Sequence, residues 1–416
     1  PYEAKIGSTG YKTLADAITA AKSGNTVKLL MNVTVKSGIA VNKKMTLDLN
    51  GKTVTGTGTN VFVVNAETTI KNGTIEKTGT NTAAVFAYDK LKFQNTTLTG
   101  VADGGPQLSV NYNGNVTIDA TSKISAKTGA DPYPAVFIKG QDDNDTTYDP
   151  VLNIYGTVEC EKGADAKYAM PAIQGNGTDR GTSHINIFDG ALVKSDAVAM
   201  YLPQPCEVNI TGGTVTGYCG IGIKSGTLNI NGSNTTIENV NYEGDGNIAI
   251  TVSTGASNTG TVFKNTKITN AFRGIQFWSL SGDSRIENCV LDVAGYTFNI
   301  DAAVAGSTLT IKDSTLNGWT SYTSGIKKVT FDNCSLGLNA YQYLRPYSET
   351  ELIGCQFTSD GYQLNAGGSD AYTITLTNCT KNGVAITAEN VKTLLLDTDD
   401  WNANVTLIVN GVTVSV

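Results

Sequence analysis

A six-residue unit recurs along almost the whole chain, and its spacing limits the fold more than any other feature. Its clearest copy is Ile286-Glu287-Asn288-Cys289-Val290-Leu291, which reads apolar, any, Asn, small, any, apolar. Further copies begin at Leu49, Ile70, Phe93, Ile187, Ile210, Phe263, Ile311, Phe331 and Leu352. Between first residues, steps of 20 to 25 recur: 49 to 70, 70 to 93, 93 to 118, 187 to 210, 263 to 286 and 311 to 331. A period in that range marks a solenoid, in which each repeat buries its apolar side only against its neighbours.

The third position of the unit has a backbone reason. It is Gly51, Asn72, Asn95, Gly156, Asp189, Gly212, Gly232, Asn265, Asn288, Asp313, Asn333, Gly354 and Asn378 in successive copies. Gly meets no steric penalty at positive φ, and Asn and Asp meet the smallest among the other residues. Each coil is therefore expected to bend there through a left-handed residue, so that both flanking apolar residues return to the interior. Asn on successive coils can then hydrogen-bond amide to amide along the axis. This pattern resembles the asparagine ladder of the right-handed parallel β-helix, the pectate-lyase-like superfamily. The right hand also follows from the crossover rule for parallel strands. The expected fold is all-β: a right-handed parallel β-helix of roughly fourteen coils, with a short N-terminal capping helix and a C-terminal β-hairpin cap.

Composition sharpens the choice. Thr, Asn, Gly and Val are abundant while Leu and Met are scarce, which favours strand and turn over helix and sets the chain apart from leucine-rich repeats of similar period. A net charge of −7 with only four arginines argues against a nucleic-acid partner. No apolar run reaches the roughly 18 residues that a membrane span needs. The chain starts at Pro1 without a signal peptide, and is read as a monomer or as part of a longer multidomain protein. Cys289, Cys334, Cys355 and Cys379 all follow the bend residue, where other copies place Gly73, Thr96, Gly190, Gly213, Thr266 and Ser314. That slot calls for a small inward side chain, and buried free Cys serves as a small hydrophobe. Cys160, Cys206 and Cys219 lie off this phase.

Taken in order, residues 1–30 read as an N-terminal cap. Thr13 stands at an N-cap, Leu14, Ala17, Ile18 and Ala21 fall on one helix face, and Gly24 lies beyond the end. This opening, followed by Thr26-Val27-Lys28-Leu29-Leu30, resembles the start of cell-surface, adhesin-like modules of gut Firmicutes. The resemblance implies an extracellular or bacterial cell-surface location and carries no catalytic residues. Residues 31–380 are the coils, and 381–416 form the C-terminal cap, with Asn410-Gly411 as a hairpin turn. A second recurrent strand lies between the bends, as in Ile275-Gln276-Phe277-Trp278 and Phe298-Asn299-Ile300-Asp301. Its first and third residues point inward and its second and fourth outward.

That strand supplies the candidate binding face. Its fourth positions give Tyr88, Lys139, Tyr201, Lys224, Trp278 and Asp301; its second positions give Gln276, Asn299, Gln342 and Gln363; Arg273 and Arg345 flank them. An outward Trp among amides and mixed charges suits stacking on sugar rings with hydrogen bonds to hydroxyls, so the expected partner is a glycan or a host or surface glycoprotein. Asp142, Asp143 and Asp145 share one polar loop and form a calcium candidate; no other cofactor is expected. The superfamily also holds polysaccharide lyases and glycosidases. Their acidic clusters beside a basic residue and their Arg-x-Lys motifs are missing here, and the lone His184 precedes a buried strand. A non-catalytic surface module is the leading reading, with a polysaccharide-degrading enzyme or a phage spike-like protein as the alternatives.

Overall fold

The structure is a computed structural model and describes residues 1–58, 60–80, 82–140, 147–176, 181–232, 234–239, 248–253, 260–269, 271–339 and 343–416. The chain is an all-β parallel β-solenoid of about 14 turns. It divides into two compact units: Pro1–Tyr218 with Gly232–Thr235, and Cys219–Asn231 with Thr236–Val416.

In the first unit the helix Leu14–Ala20 forms as the sequence predicts. The Thr13 hydroxyl accepts from Asp16 N at 3.1 Å, Leu14, Ala17 and Ile18 are buried, and Gly24 takes φ +85. Strand Ala4–Ile6 pairs antiparallel with Thr9–Tyr11 and Asn25–Leu29. From Asn25–Leu29 onward the pairing between coils is parallel and carries one column of side chains: Val27, Leu47, Ile70, Phe93, Ile118, Ile154, Ile187 and Ile210. All are 0–1% exposed, and each such side chain stabilises the stack by about 1.5–3 kcal/mol. The column corrects one register: Ile70 sits beside Leu47, not Leu49. The extra residues are taken up by a turn in which Asn50 and Gly51 are both left-handed (φ 53 and 72) and Lys52 N reaches Leu49 O at 2.8 Å.

In the second unit the equivalent column is Leu228, Phe263, Ile286, Ile311, Phe331, Leu352, Leu376 and Val409. Its last strand, Thr406–Val409, turns back through Asn410 (φ 49) and Gly411 (φ 83) into Val412–Val414, a two-residue turn with both residues left-handed. A second hairpin of the same kind, with Asn382 and Gly383 at its turn, joins Thr380–Lys381 to Val384–Ala385. The short helix Val391–Leu394 follows.

The bends follow the predicted rule in the second unit. Asn265, Asn288, Asp313, Asn333, Gly354 and Asn378 all have φ between 49 and 61. Asn288 Nδ2 donates to Asn265 Oδ1 at 2.7 Å, and Asn333 Nδ2 to Asp313 Oδ1 at 2.7 Å. Early in the first unit, Asn95 donates to Asn72 and Asn72 to Asp48 in the same way. Four other expected bends are not left-handed: Gly156, Asp189, Gly212 and Gly232. At two of them the left-handed residue comes one place later, Gly190 (φ 79) and Gly213 (φ 85). Gly190 is the third residue of a turn closed by Ala191 N to Phe188 O at 3.1 Å, the position that needs positive φ. Gly156 and Gly232 are required for close approach instead. A Cβ there would come within 2.2 Å of Ser122 O and 2.1 Å of Thr211 O, respectively.

Where the slot after the bend is not Gly, its small side chain also acts as a donor. Thr96 and Thr266 hydroxyls donate to the carbonyl two residues back and to one on the preceding coil. The thiols of Cys289, Cys334, Cys355 and Cys379 point at the equivalent carbonyl pairs, at 3.3–3.7 Å. All seven cysteines are free and buried. Burial pushes the Cys160 thiol up to about 12, which keeps it protonated and unreactive.

Candidate functional site

The candidate face lies in the second unit, on Arg273–Phe277, Val290–Ile300, Thr315–Tyr322, Tyr343–Arg345 and Gln363–Leu364. Ile275 and Phe298 pair in register, as do Phe277, Ile300 and Tyr322, and these residues are buried in the interior. Strand alternation then turns their neighbours outward. One outward row runs Gln276, Asn299, Ser321, Arg345. At the strand ends Trp278, Asp301 and Thr323 follow one another, each amide donating to the coil before (Trp278 N to Val252 O 2.8 Å, Asp301 N to Phe277 O 2.9 Å, Thr323 N to Ile300 O 3.0 Å).

Hydrogen bonds link the first row to the second. Arg273 Nη1 donates to Gln276 Oε1 at 2.8 Å, and Asn299 Nδ2 donates to the same oxygen at 3.4 Å. Asn299 Nδ2 also donates to Asp301 Oδ1 at 2.6 Å. Trp278 is 51% exposed and Asp301 is exposed, whereas Gln276 is completely buried. This corrects the expectation that Gln276 offers its amide to solvent: pleating turns it outward, but the surrounding side chains close over it.

The sequence reading missed a third row. Arg273, Tyr296, Trp319, Tyr343 and Gln363 follow one another on successive coils, at sequence steps of 23, 23, 24 and 20. The Arg273 guanidinium lies 4.6 Å from the Tyr296 ring centre. Tyr296 and Trp319 stack at 4.7 Å with 14° between planes, and Tyr343 is 6.4 Å further. The spacing was visible in the sequence; a register shift between Asp292 and Phe298 hid the phase. It also follows that Gln363 does not extend the Gln276–Asn299 row, because it pairs with Tyr343.

The remaining candidates are dispersed. Arg345 Nη2 pairs with Asp400 Oδ2 at 3.1 Å, and Asn365 Nδ2 donates to the same oxygen at 3.0 Å. Lys224 is half-buried, two coils before Trp278 at the same strand end. Tyr201 belongs to the first unit. It stands in register with Gln174 and Phe137, so it does not continue the row of Tyr88 and Lys139 as expected. Gln342, Asp142, Asp143 and Asp145 lie outside the described residues. Among the described residues no group of three or more His, Cys, Asp or Glu is placed to hold a metal ion. His184 Nδ1 is 3.1 Å from Glu207 Oε2 on an outward face of the first unit.

No family model, no curated protein and no solved structure matches this chain. The face therefore has to be read from its own chemistry. It offers one exposed indole, a carboxylate fixed beside it by a neutral amide, and an ordered, rigid strand array beneath. Such a surface can bind and orient a ligand.

Proposed function

We propose that this chain is a non-catalytic, adhesin-like module of a bacterial cell surface, extracellular, that binds carbohydrate or glycoprotein along the face carrying Trp278. The observation that supports it is the state of the Trp278 ring: half-exposed, with no ring contact among the described residues, on a strand end held by main-chain hydrogen bonds. The flat π face of an exposed indole suits the C–H side of a sugar ring. Neighbouring groups recur at about 4.8 Å along the axis, so an extended glycan crosses several coils with little reorganisation. Stacking with a few hydrogen bonds gives roughly micromolar to millimolar affinity per site, which surface proteins raise through multivalency.

The test is a glycan and mucin binding assay with wild type and Trp278→Ala, after circular dichroism confirms the same fold. Loss of at least tenfold in affinity in the variant is expected. Equal binding by both proteins assigns the ligand to another face, and release of oligosaccharides by wild type replaces the reading with an enzymatic one.

A further inference from the structure

The hydrogen-bond chain beside Trp278 specifies more than a generic sugar site. Both side chains that bond Gln276 are donors at that contact, Arg273 Nη1 and Asn299 Nδ2. The amide must therefore present its oxygen to them, and the opposite flip would set donor against donor. This leaves Gln276 Nε2 buried with no acceptor among the described residues. A buried unsatisfied donor is a penalty that most native surfaces avoid, and a broken local rule of this kind is expected where placement matters more than stability. What it places is Asp301: Asn299, braced by Gln276, holds Asp301 Oδ1 at 2.6 Å.

The charge pattern then narrows the ligand. Arg273 is engaged by Gln276 and by the Tyr296 ring, and Arg345 by Asp400 and the Tyr347 ring. Neither guanidinium is arranged as a clamp for an anion. Lys224 is half-buried two coils back, roughly 10 Å along the axis at strand spacing and so near the screening length of physiological salt. Asp301, by contrast, is exposed, and its one side-chain partner among the described residues is the neutral Asn299 amide. A ligand on Trp278 meets a carboxylate with no ion-pair partner among the described residues, on a chain of net charge −7.

We infer that the Trp278 face selects a neutral sugar that donates hydroxyl protons to Asp301 while its ring stacks on Trp278, and that it discriminates against acidic glycans. The inference rests on the carbohydrate-binding reading above. Hydroxyl donors make charge-assisted hydrogen bonds to Asp301, whereas a sugar carboxylate or sulfate at the same place is repelled and leaves the Asp301 oxygens without donors.

The experiment uses matched oligosaccharide pairs, each neutral glycan with its uronate, sialylated or sulfated counterpart. They are titrated against wild type, Asp301→Asn and Trp278→Ala. Wild type is expected to bind the neutral member at least tenfold more tightly. Asp301→Asn keeps an oxygen for Asn299 but removes the charge; it should weaken neutral binding about tenfold and narrow the gap between the pair. Acidic members bound as tightly as neutral ones, with binding still lost in Trp278→Ala, overturn this inference and leave the carbohydrate reading standing. Binding that survives Trp278→Ala, or no binding of either member, removes the reading itself and the inference with it.

Discussion

Each unit of the solenoid carries an outward aromatic ladder, and the two are stabilised differently. In the first unit Tyr112 lies between Tyr88, at 4.9 Å, and Tyr148, at 4.7 Å. To reach that place Tyr112 takes φ 53, a left-handed conformation costly for a bulky side chain. In the second unit Tyr296 and Trp319 stack without left-handed backbone, and Arg273 closes the end of the stack. In both, one pair of rings is stacked and the next ring is tilted against it, by 56° in the first unit and 58° in the second. Aromatic residues on a solenoid surface are therefore not by themselves a binding surface. Trp278 differs because its neighbour on the next coil is Asp301 and not another ring.

The comparison can be broken in four ways, the largest effect first. Trp319→Ala removes the centre of the second ladder and should cost about 2–4 kcal/mol, read from the denaturant midpoint. Trp278→Ala should stay within about 0.5 kcal/mol of wild type. Equal losses in the two variants would erase the distinction between stacked and available rings.

Buried lysines form a second matched pair. Lys77 Nζ donates to Asp103 O (3.3 Å) and Gly105 O (2.9 Å) in the first unit, and Lys381 Nζ to Tyr362 O and Leu394 O, both at 2.8 Å, in the second. Burial lowers Lys77 to about 8, opposed by the nearby charge of Asp103, and burial also lowers Lys381. A depressed lysine pKa means that the unfolded chain binds more protons between the folded and unfolded values. Stability should therefore rise with pH from about 8 to the unfolded value near 10.5, by about 1–3 kcal/mol, and be flat in this term below 8. Lys77→Met should remove the Lys77 share of the rise and leave that of Lys381, as followed by chemical denaturation across that range; an unchanged slope in the variant would place its origin elsewhere.

Asn288→Ala should cost about 1–2 kcal/mol, through left-handed strain and loss of the amide bond to Asn265. Asn288→Gly, which keeps the backbone freedom, should cost less than the Ala variant. If the two are equal, backbone strain has no part in the bend. The smallest effect is Tyr112→Gly. It relieves about 1 kcal/mol of strain and loses two ring contacts worth about 0.5–1.5 kcal/mol each, so a net loss of about 0–2 kcal/mol is expected. A gain in stability would show that the first ladder does not repay its backbone.

The repeat and, from Ile70 onward, its register were legible because the first apolar residue of the unit, up to Leu352, occupies one interior column in each unit; the N-terminal helix and C-terminal hairpin were legible from Thr13 and from Asn410-Gly411. Backbone chemistry was less legible. Asp189-Gly190 and Gly212-Gly213 match the repeat in letters but bend one residue later, since a glycine next door lets the turn move. The slot after the bend was read by size alone; in the copies that are not Gly, hydrogen bonds such as those from Thr96 and Cys334 add a donor that size does not report. On the binding face, Trp278 and Asp301 were found by pleating. Tyr296 and Trp319 were missed through a register shift, and the burial of Gln276 depends on side chains from other coils that no local pattern reports.

The central claim is that the Trp278 ring, and not the stacked ladder, meets the ligand. Its most direct test is indole fluorescence in a Trp319→Phe, Trp401→Phe variant, in which Trp278 is the remaining tryptophan. Acrylamide quenching is measured with and without a saturating neutral oligosaccharide that the wild type binds. The account predicts strong quenching of the free protein and marked protection when the sugar is bound. Quenching that is unchanged at saturation would contradict it.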